Sequence, residues 1–297
     1  MMNKMPFALC AMSVLLAACG GGGSGSPSTQ PTNTNTAPAT NNPAQSANTN
    51  PTSGYATFQI PDMESDLSSA GVMTASNYKL HLNGKTYANK GVVDISSLNK
   101  GLNTQSYTAE ITLTPAGGQS YQEKYDGDLR LYKQDYSVVL GTYTKNQYRS
   151  NNNNTAELID EFTVDDIQGN ITPFASLPSS GRYTYNGEAF THQEAGKLSY
   201  TVDFDKRRGS GMITGLNETG DITLNAAPIS RIDEAPFKGG SQIDGEGLAT
   251  SSKLGRGSYG LGFFGPKAEE IAGYAEFTRE TVNFGESDVE VGFGGRR

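Results

Sequence analysis

Along much of the chain, apolar residues recur at every second position. Leu198, Tyr200, Val202 and Phe204 alternate with Lys197, Ser199, Thr201, Asp203 and Asp205, and Tyr259, Leu261 and Phe263 alternate with Ser258, Gly260 and Gly262. The same spacing holds for Tyr78, Leu80 and Leu82, for Ile111 and Leu113, and for Tyr136, Val138 and Leu140. A period of two belongs to a strand with one face in a core and one in water, so these segments predict antiparallel strands. Gly117-Gly118, Asp126-Gly127, Pro178-Ser179-Ser180-Gly181 and Asn186-Gly187 supply turn signals at hairpin spacing. No segment keeps a helical period for more than about two turns. Pro266 to Ala272 is the best short helix candidate. The pattern predicts an all-β fold.

The first part of the chain does not follow this pattern. Lys4 precedes an apolar run from Pro6 to Ala18, which is too short for a permanent membrane span and reads as an export signal over residues 1–18. The run ends Leu16-Ala17-Ala18-Cys19-Gly20, small residues directly before a cysteine, as in a bacterial lipoprotein signal. Cleavage before Cys19 leaves its thiol for diacylglycerol and its new amine for an acyl chain, which together give stable anchoring. Gly20 rather than Asp follows, which favours delivery to the outer membrane. From Gly20 to Gly54 the chain holds only Gly, Ser, Pro, Thr, Asn, Gln and Ala, without charge or aromatic ring. Such a stretch cannot bury enough apolar area to offset its ordering entropy, so residues 19–54 form a lipidated cysteine and a polar tether reaching about 30–35 Å.

The folded part then spans residues 55–297. An Asn- and Tyr-rich half, expected to be irregular, occupies residues 55–170, with Asn151 to Asn154 as an exposed loop. More regular, glycine-punctuated strands fill residues 171–297, and glycine within strands permits the bending that a small closed barrel needs.

Composition narrows the chemistry. The 297 residues carry a net charge of −8, which disfavours sequence-independent nucleic-acid binding. Both cysteines are accounted for, Cys10 leaving with the signal and Cys19 taken by lipid, so cysteine catalysis and disulfides are excluded. His81 and His192 are the only histidines, and neither sits in a nucleophile-elbow context. Asp165-Asp166 and the Asp288/Glu290 pair are expected to be solvated loop charges rather than an acid–base pair. Gly255-x-Gly257-x-x-Gly260 matches a dinucleotide pattern by letter but precedes a strand, with no helix N-terminus to receive a pyrophosphate. The chain is therefore not expected to be an enzyme or to hold a metal. One ligand chemistry stays open: a single His, or a Tyr, can ligate haem iron in an apolar, aromatic pocket, and His81 is the better placed of the two histidines.

Leu177 to Phe190, Ala195 to Phe204 and Gly257 to Glu276 together resemble the barrel of the factor H-binding protein family. The likeness continues more weakly upstream through Asp128 to Gln134 and Phe162 to Gly169. The Phe263-Phe264-Gly265-Pro266-Lys267-Ala268-Glu269-Glu270-Ile271-Ala272-Gly273 segment is also similar to the barrel endings of transferrin-binding protein B and of haem-binding relatives of hemophilin. The resemblance implies an open, twisted N-terminal β-domain followed by an eight-stranded antiparallel C-terminal barrel. It also implies display on the outer-membrane surface through a lipid anchor, after export by a Slam-type translocator. Family members recruit a host complement regulator, factor H, partly through two acidic barrel positions. One of these falls on Glu276 and the other on Gly255, which carries no charge. The expected partner is a host serum protein of the factor H kind, bound for immune evasion. The alternative is a haem or haemoprotein ligand, held through His81 and passed to a TonB-dependent receptor.

Overall fold

The period-two segments fold into two bodies of strands joined by a short link. The computed structural model describes residues 54–68, 73–234, 236–281 and 285–297. Cys19 and the tether up to residue 53 lie outside them. The fold is all-β, an open N-terminal sheet followed by a closed eight-stranded antiparallel barrel.

The N-terminal sheet has the order β3-β2-β5-β6-β7-β8. Its strands are β2 (Met73–Leu82), β3 (Lys85–Ala88), β5 (Gly101–Pro115), β6 (Tyr121–Lys133), β7 (Ser137–Arg149) and β8 (Ala156–Gly169). A two-stranded ribbon of β1 (Thr57–Gln59) and β4 (Val92–Asp94) packs with the single-turn helix α1 (Met63–Ser68) on one face. Phe58, Ile60, Met63, Val93 and Ile95 there meet Tyr78, Leu80, Ile111, Leu131 and Leu140 of the sheet. The buried Lys133 ammonium ties this cover down by donating to the Ile95 and Leu98 carbonyls at 2.8 and 2.9 Å.

This half is regular rather than irregular, with β5 and β8 running 15 and 14 residues. Polar residues such as Thr104, Ser106 and Thr108 fill outward positions and Tyr78, Tyr107 and Tyr125 take inward ones, so the alternation is faint. The run from Asn151 to Asn154 is exposed, as expected, at the tip between β7 and β8.

The barrel closes through β9 (Arg182–Phe190), β10 (Ala195–Asp203), β11 (Arg208–Thr214), β12 (Ile222–Arg231), β13 (Ser241–Ser251), β14 (Gly255–Phe264), β15 (Glu270–Thr281) and β16 (Gly285–Arg296). The last strand pairs with the first, Gly295 opposite Gly187, so no strand edge is left to recruit another chain. Inward positions are those of the alternating pattern: Leu198, Tyr200, Val202, Tyr259, Leu261 and Phe263 are all essentially buried. A side chain of this size contributes about 1.5–3 kcal/mol on burial. The buried tyrosines satisfy their hydroxyls within the core. Tyr200 and Tyr259 share a 3.1 Å hydrogen bond, Tyr259 donates to the Asn225 carbonyl at 2.7 Å, and Tyr185 donates to the Ala268 carbonyl at 2.7 Å.

The expected helix at Pro266 to Ala272 does not form. Residues 265–268 are a turn with positive φ at Gly265 and Ala268, after which Glu270 to Ala272 already belong to β15. This turn takes left-handed backbone at both of its ends, which a continuing helix excludes.

The linking segment after β8 stays on the barrel, with isolated bridges from Ile171 to Phe264 and from Pro173 to Gly240. The uncovered face of the sheet then lies on the barrel wall. Tyr132, Val139, Val164 and Ile167 pack there against Phe190, Phe264 and Ala272.

Candidate functional site

Glu276 lies on β15 between Ala275 and Phe277, whose side chains are buried in the barrel, so strand alternation turns the carboxylate outward and leaves it exposed. Its direct partners are Ser258 on β14 and Glu290 on β16, and Thr278 two residues on is opposite Asp288. Among the described residues, none of Glu276, Asp288 and Glu290 has an ion-pair partner. The result is a strip of three acids without a compensating base.

The strip continues to the seam with the sheet. Glu290 is half-buried and accepts the Val164 N–H of β8 at 2.6 Å. Burial pushes its carboxyl up to about 7 against that hydrogen bond, and the charges of Asp165, Glu276 and Asp288 push the same way. At Glu276 partial desolvation and then Asp288 also raise the carboxyl, an effect that solvent screens at an exposed position. Tyr274 sits two residues before Glu276, and its phenol is pushed up to about 12 by burial and then by Glu276, Glu290 and Asp244. An uncompensated acidic strip beside a partly buried tyrosine offers electrostatic complementarity to a basic protein surface.

The sheet and barrel are held at a fixed offset by polar contacts. Glu270, at the start of β15, is buried. It accepts the backbone N–H groups of Asp135 and Tyr136 at 2.7 and 3.0 Å and the Ser137 hydroxyl at 2.9 Å. Gln134 adds a bond from its amide to the Ile271 carbonyl at 3.0 Å. Farther along, the buried Arg130 guanidinium donates to the carbonyls of Thr191 and His192 in the β9–β10 turn. The His192 ring stacks on Tyr143, with centroids 3.3 Å apart and planes 9° from parallel.

His81, the haem-ligand candidate, is half-buried on β2 with Leu80 and Leu82 turned to the opposite, core-facing side. Its Nδ1 lies 2.9 Å from the Thr86 hydroxyl, and a Lys79–Glu110 ion pair of 2.9 Å flanks it on the same face. The neighbours that these contacts identify are polar. Gly255 begins β14 with φ +81°, a backbone that favours glycine, and carries no acid there. Neither histidine is bonded to a serine, and among the described residues no three metal-ligating side chains converge.

Three site features were not foreseen. Asp165-Asp166 and Glu290 lie in strands, half-buried, and are not solvated loop charges. Val164, which holds Glu290, is 126 residues away in sequence, so no local pattern reports the contact. Glu270 and Arg130 were likewise invisible as interface residues, since ordinary charged letters carry no sign of burial.

Residues 175–275 match the family described as factor H binding protein, C-terminal, so the barrel is of the factor H-binding-protein type. Among solved structures, the chain is similar to a double mutant of Transferrin Binding Protein B from Haemophilus parasuis Hp5. Identity is 16% and the TM-score 0.38, over 76% of this chain and 44% of that one. It is also similar to intact Ap-TbpB with N and C lobes, at 14% identity and TM-score 0.38, over 76% of this chain and 46% of that one. The chain thus covers less than half the length of either. No helix among the described residues is long and apolar enough to cross a membrane.

Proposed function

We propose, from a barrel that matches the factor H-binding protein C-terminal family, that this chain captures a host serum protein at the bacterial surface. The partner best supported is a complement regulator of the factor H kind. The observation that carries the reading is the family match over residues 175–275. The acidic strip of exposed Glu276 and Asp288 with half-buried Glu290, next to the matched segment, supplies the matching surface chemistry. Binding rather than catalysis fits the two histidines, which serve surface and packing contacts. In this reading Cys19 carries the lipid, the polar tether holds the sheet and barrel clear of the outer membrane, and a Slam-type translocator exports the chain.

The test is capture from serum. The chain from residue 19 onward, with C19S to keep it soluble, is immobilised and exposed to sera of several mammals, and retained proteins are identified by mass spectrometry. A complement regulator is expected, with recovery reduced by Glu276→Gln. Recovery of transferrin instead, or of no serum protein, sinks the factor H reading.

A further inference from the structure

The N-terminal sheet and its cover do not meet perfectly. A cavity of about 80 Å³ remains between Phe58, Ile60 and Met63 of the cover and Tyr78, Leu80 and Tyr107 of the sheet. Its walls are apolar except at one end, where Thr142, Asp165 and Asp166 line it. Both acids are half-buried as residues, and burial is the main influence on their carboxyls.

A β-bulge puts the two carboxylates there. Neighbouring residues on a strand point to opposite faces, so Asp165 and Asp166 should be separated by the sheet. The pairing slips instead, with Leu140 opposite Asp166 and Gly141 opposite Val164, leaving Asp165 as the extra residue. Val164 and Ile167 both pack toward the barrel as a result, and the two acids between them share the cavity side. Asp165 is oriented by the hydroxyls of Thr142 and Thr163, which donate to its two oxygens. Asp166 accepts from the Ile167 N–H and the Gln168 amide, both at 2.7 Å.

Such a site lacks a positive charge. Neither acid has an ion-pair partner among the described residues. The titratable groups around Asp165 are Asp166, the phenols of Tyr78 and Tyr107, and Glu290 on β16, none of them cationic. Burial pushes the Asp165 carboxyl up to about 7, the cost of holding a charge there without a counterion. The tether cannot supply the cation, because residues 20–53 contain no Lys, Arg or His.

We propose that this cavity binds a small organic ammonium ion, with its charge at Asp165 and a short alkyl or aromatic body against Met63, Tyr78, Leu80 and Tyr107. The volume fits a short chain or a single small ring rather than a macrocycle, and the acids at the polar end fix the orientation of the occupant. The proposal stands apart from the host-protein reading, which concerns the acidic strip on the barrel.

Calorimetric titration of the C19S chain with n-pentylammonium, and separately with n-pentanol, tests it. The amine should bind once per chain, and the alcohol about tenfold more weakly or worse, because only the amine neutralises the acids. Asp165→Asn keeps a polar group for both threonine hydroxyls and should weaken the amine about tenfold while leaving the alcohol unchanged. Since Asp165 must be ionised to hold the cation, amine affinity should rise between pH 6 and pH 8. Equal binding of amine and alcohol, or an amine affinity indifferent to Asp165→Asn, overturns the proposal. So does a failure of free amines to bind while Asp165→Asn lowers serum-protein capture, which assigns the cavity to a partner's basic side chain.

Discussion

Glu276 and Glu290 stand directly opposite each other on adjacent barrel strands. Like charges in facing positions of an antiparallel pair destabilise it, yet no base lies between them among the described residues. Only Glu290 is relieved, by the Val164 N–H across the seam with the sheet. Such a pair leaves a local cost to folding that the rest of the fold must offset.

Removing one charge should therefore stabilise the fold. Glu290→Gln retains a carbonyl oxygen for the Val164 N–H and abolishes the repulsion. The expected gain is about 0.2–1 kcal/mol, a rise in Tm of about 1–3 °C at pH 8. Differential scanning calorimetry of parent and variant measures it. A lower Tm for the variant would mean that the ionised Glu290–Val164 bond outweighs the repulsion.

Glu270 predicts how stability depends on pH. Burial pushes its carboxyl up to about 7 despite three hydrogen-bond donors, so the folded chain holds this proton more tightly than the unfolded chain, which titrates near 4.5. The stabilisation from protonation is complete below about pH 4.5 and is lost as pH rises to about 7 and beyond. Asp165 and Glu290, also pushed up to about 7, act in the same direction. The Tm should accordingly fall between pH 5 and pH 8, and Glu270→Gln should flatten part of that slope. A parent curve that rises over this interval contradicts the assignment.

The contrast between Leu198-to-Phe204 and Asp165-Asp166 shows what a linear pattern can and cannot reveal. The barrel strands were legible because every inward residue keeps the same parity, from Leu198 through Phe204 and from Tyr259 through Phe263. Asp165-Asp166 has the letters of a solvated loop because a bulge changes parity within one strand, and the bulge depends on pairing with β7, which local sequence does not encode. Lys267-Ala268-Glu269-Glu270-Ile271-Ala272 has the letters of a helix, but tertiary pairing draws Glu270 to Ala272 into β15 and buries the Glu270 carboxylate in the seam. Glu276 was reached through family resemblance, and Glu290 acquires its role only from Val164 in a different body.

Closure of the barrel should be sensitive to Gly187. A Cβ at this position would lie 2.0 Å from the Gly294 carbonyl oxygen of β16, and backbone cannot swing aside as a flexible side chain does. Gly187→Ala must therefore push apart the pair that joins β9 to β16, at a cost of about 1–3 kcal/mol or more. Urea denaturation should show a lower midpoint, and hydrogen exchange should quicken first at Glu188 and Gly295. An unchanged midpoint would show that the closing strands can separate at no cost.

Haemin titration tests the second sequence expectation at a defined residue. Axial ligation is strong where an apolar pocket excludes water around the iron and the ring nitrogen is free to reach it. His81 does not meet the first condition: the face it shares carries Lys79 of β2 and Glu110 of β5, and Thr86 engages only its Nδ1. The hydrophobic residues of β2 point the other way, into a cavity of about 80 Å³ that has no room for a porphyrin. Haemin added to the C19S chain should give the same Soret band with His81→Ala as without it. A red-shifted band in the parent that His81→Ala removes would restore His81 as a ligand and require the β2–β3 hairpin to open around the macrocycle.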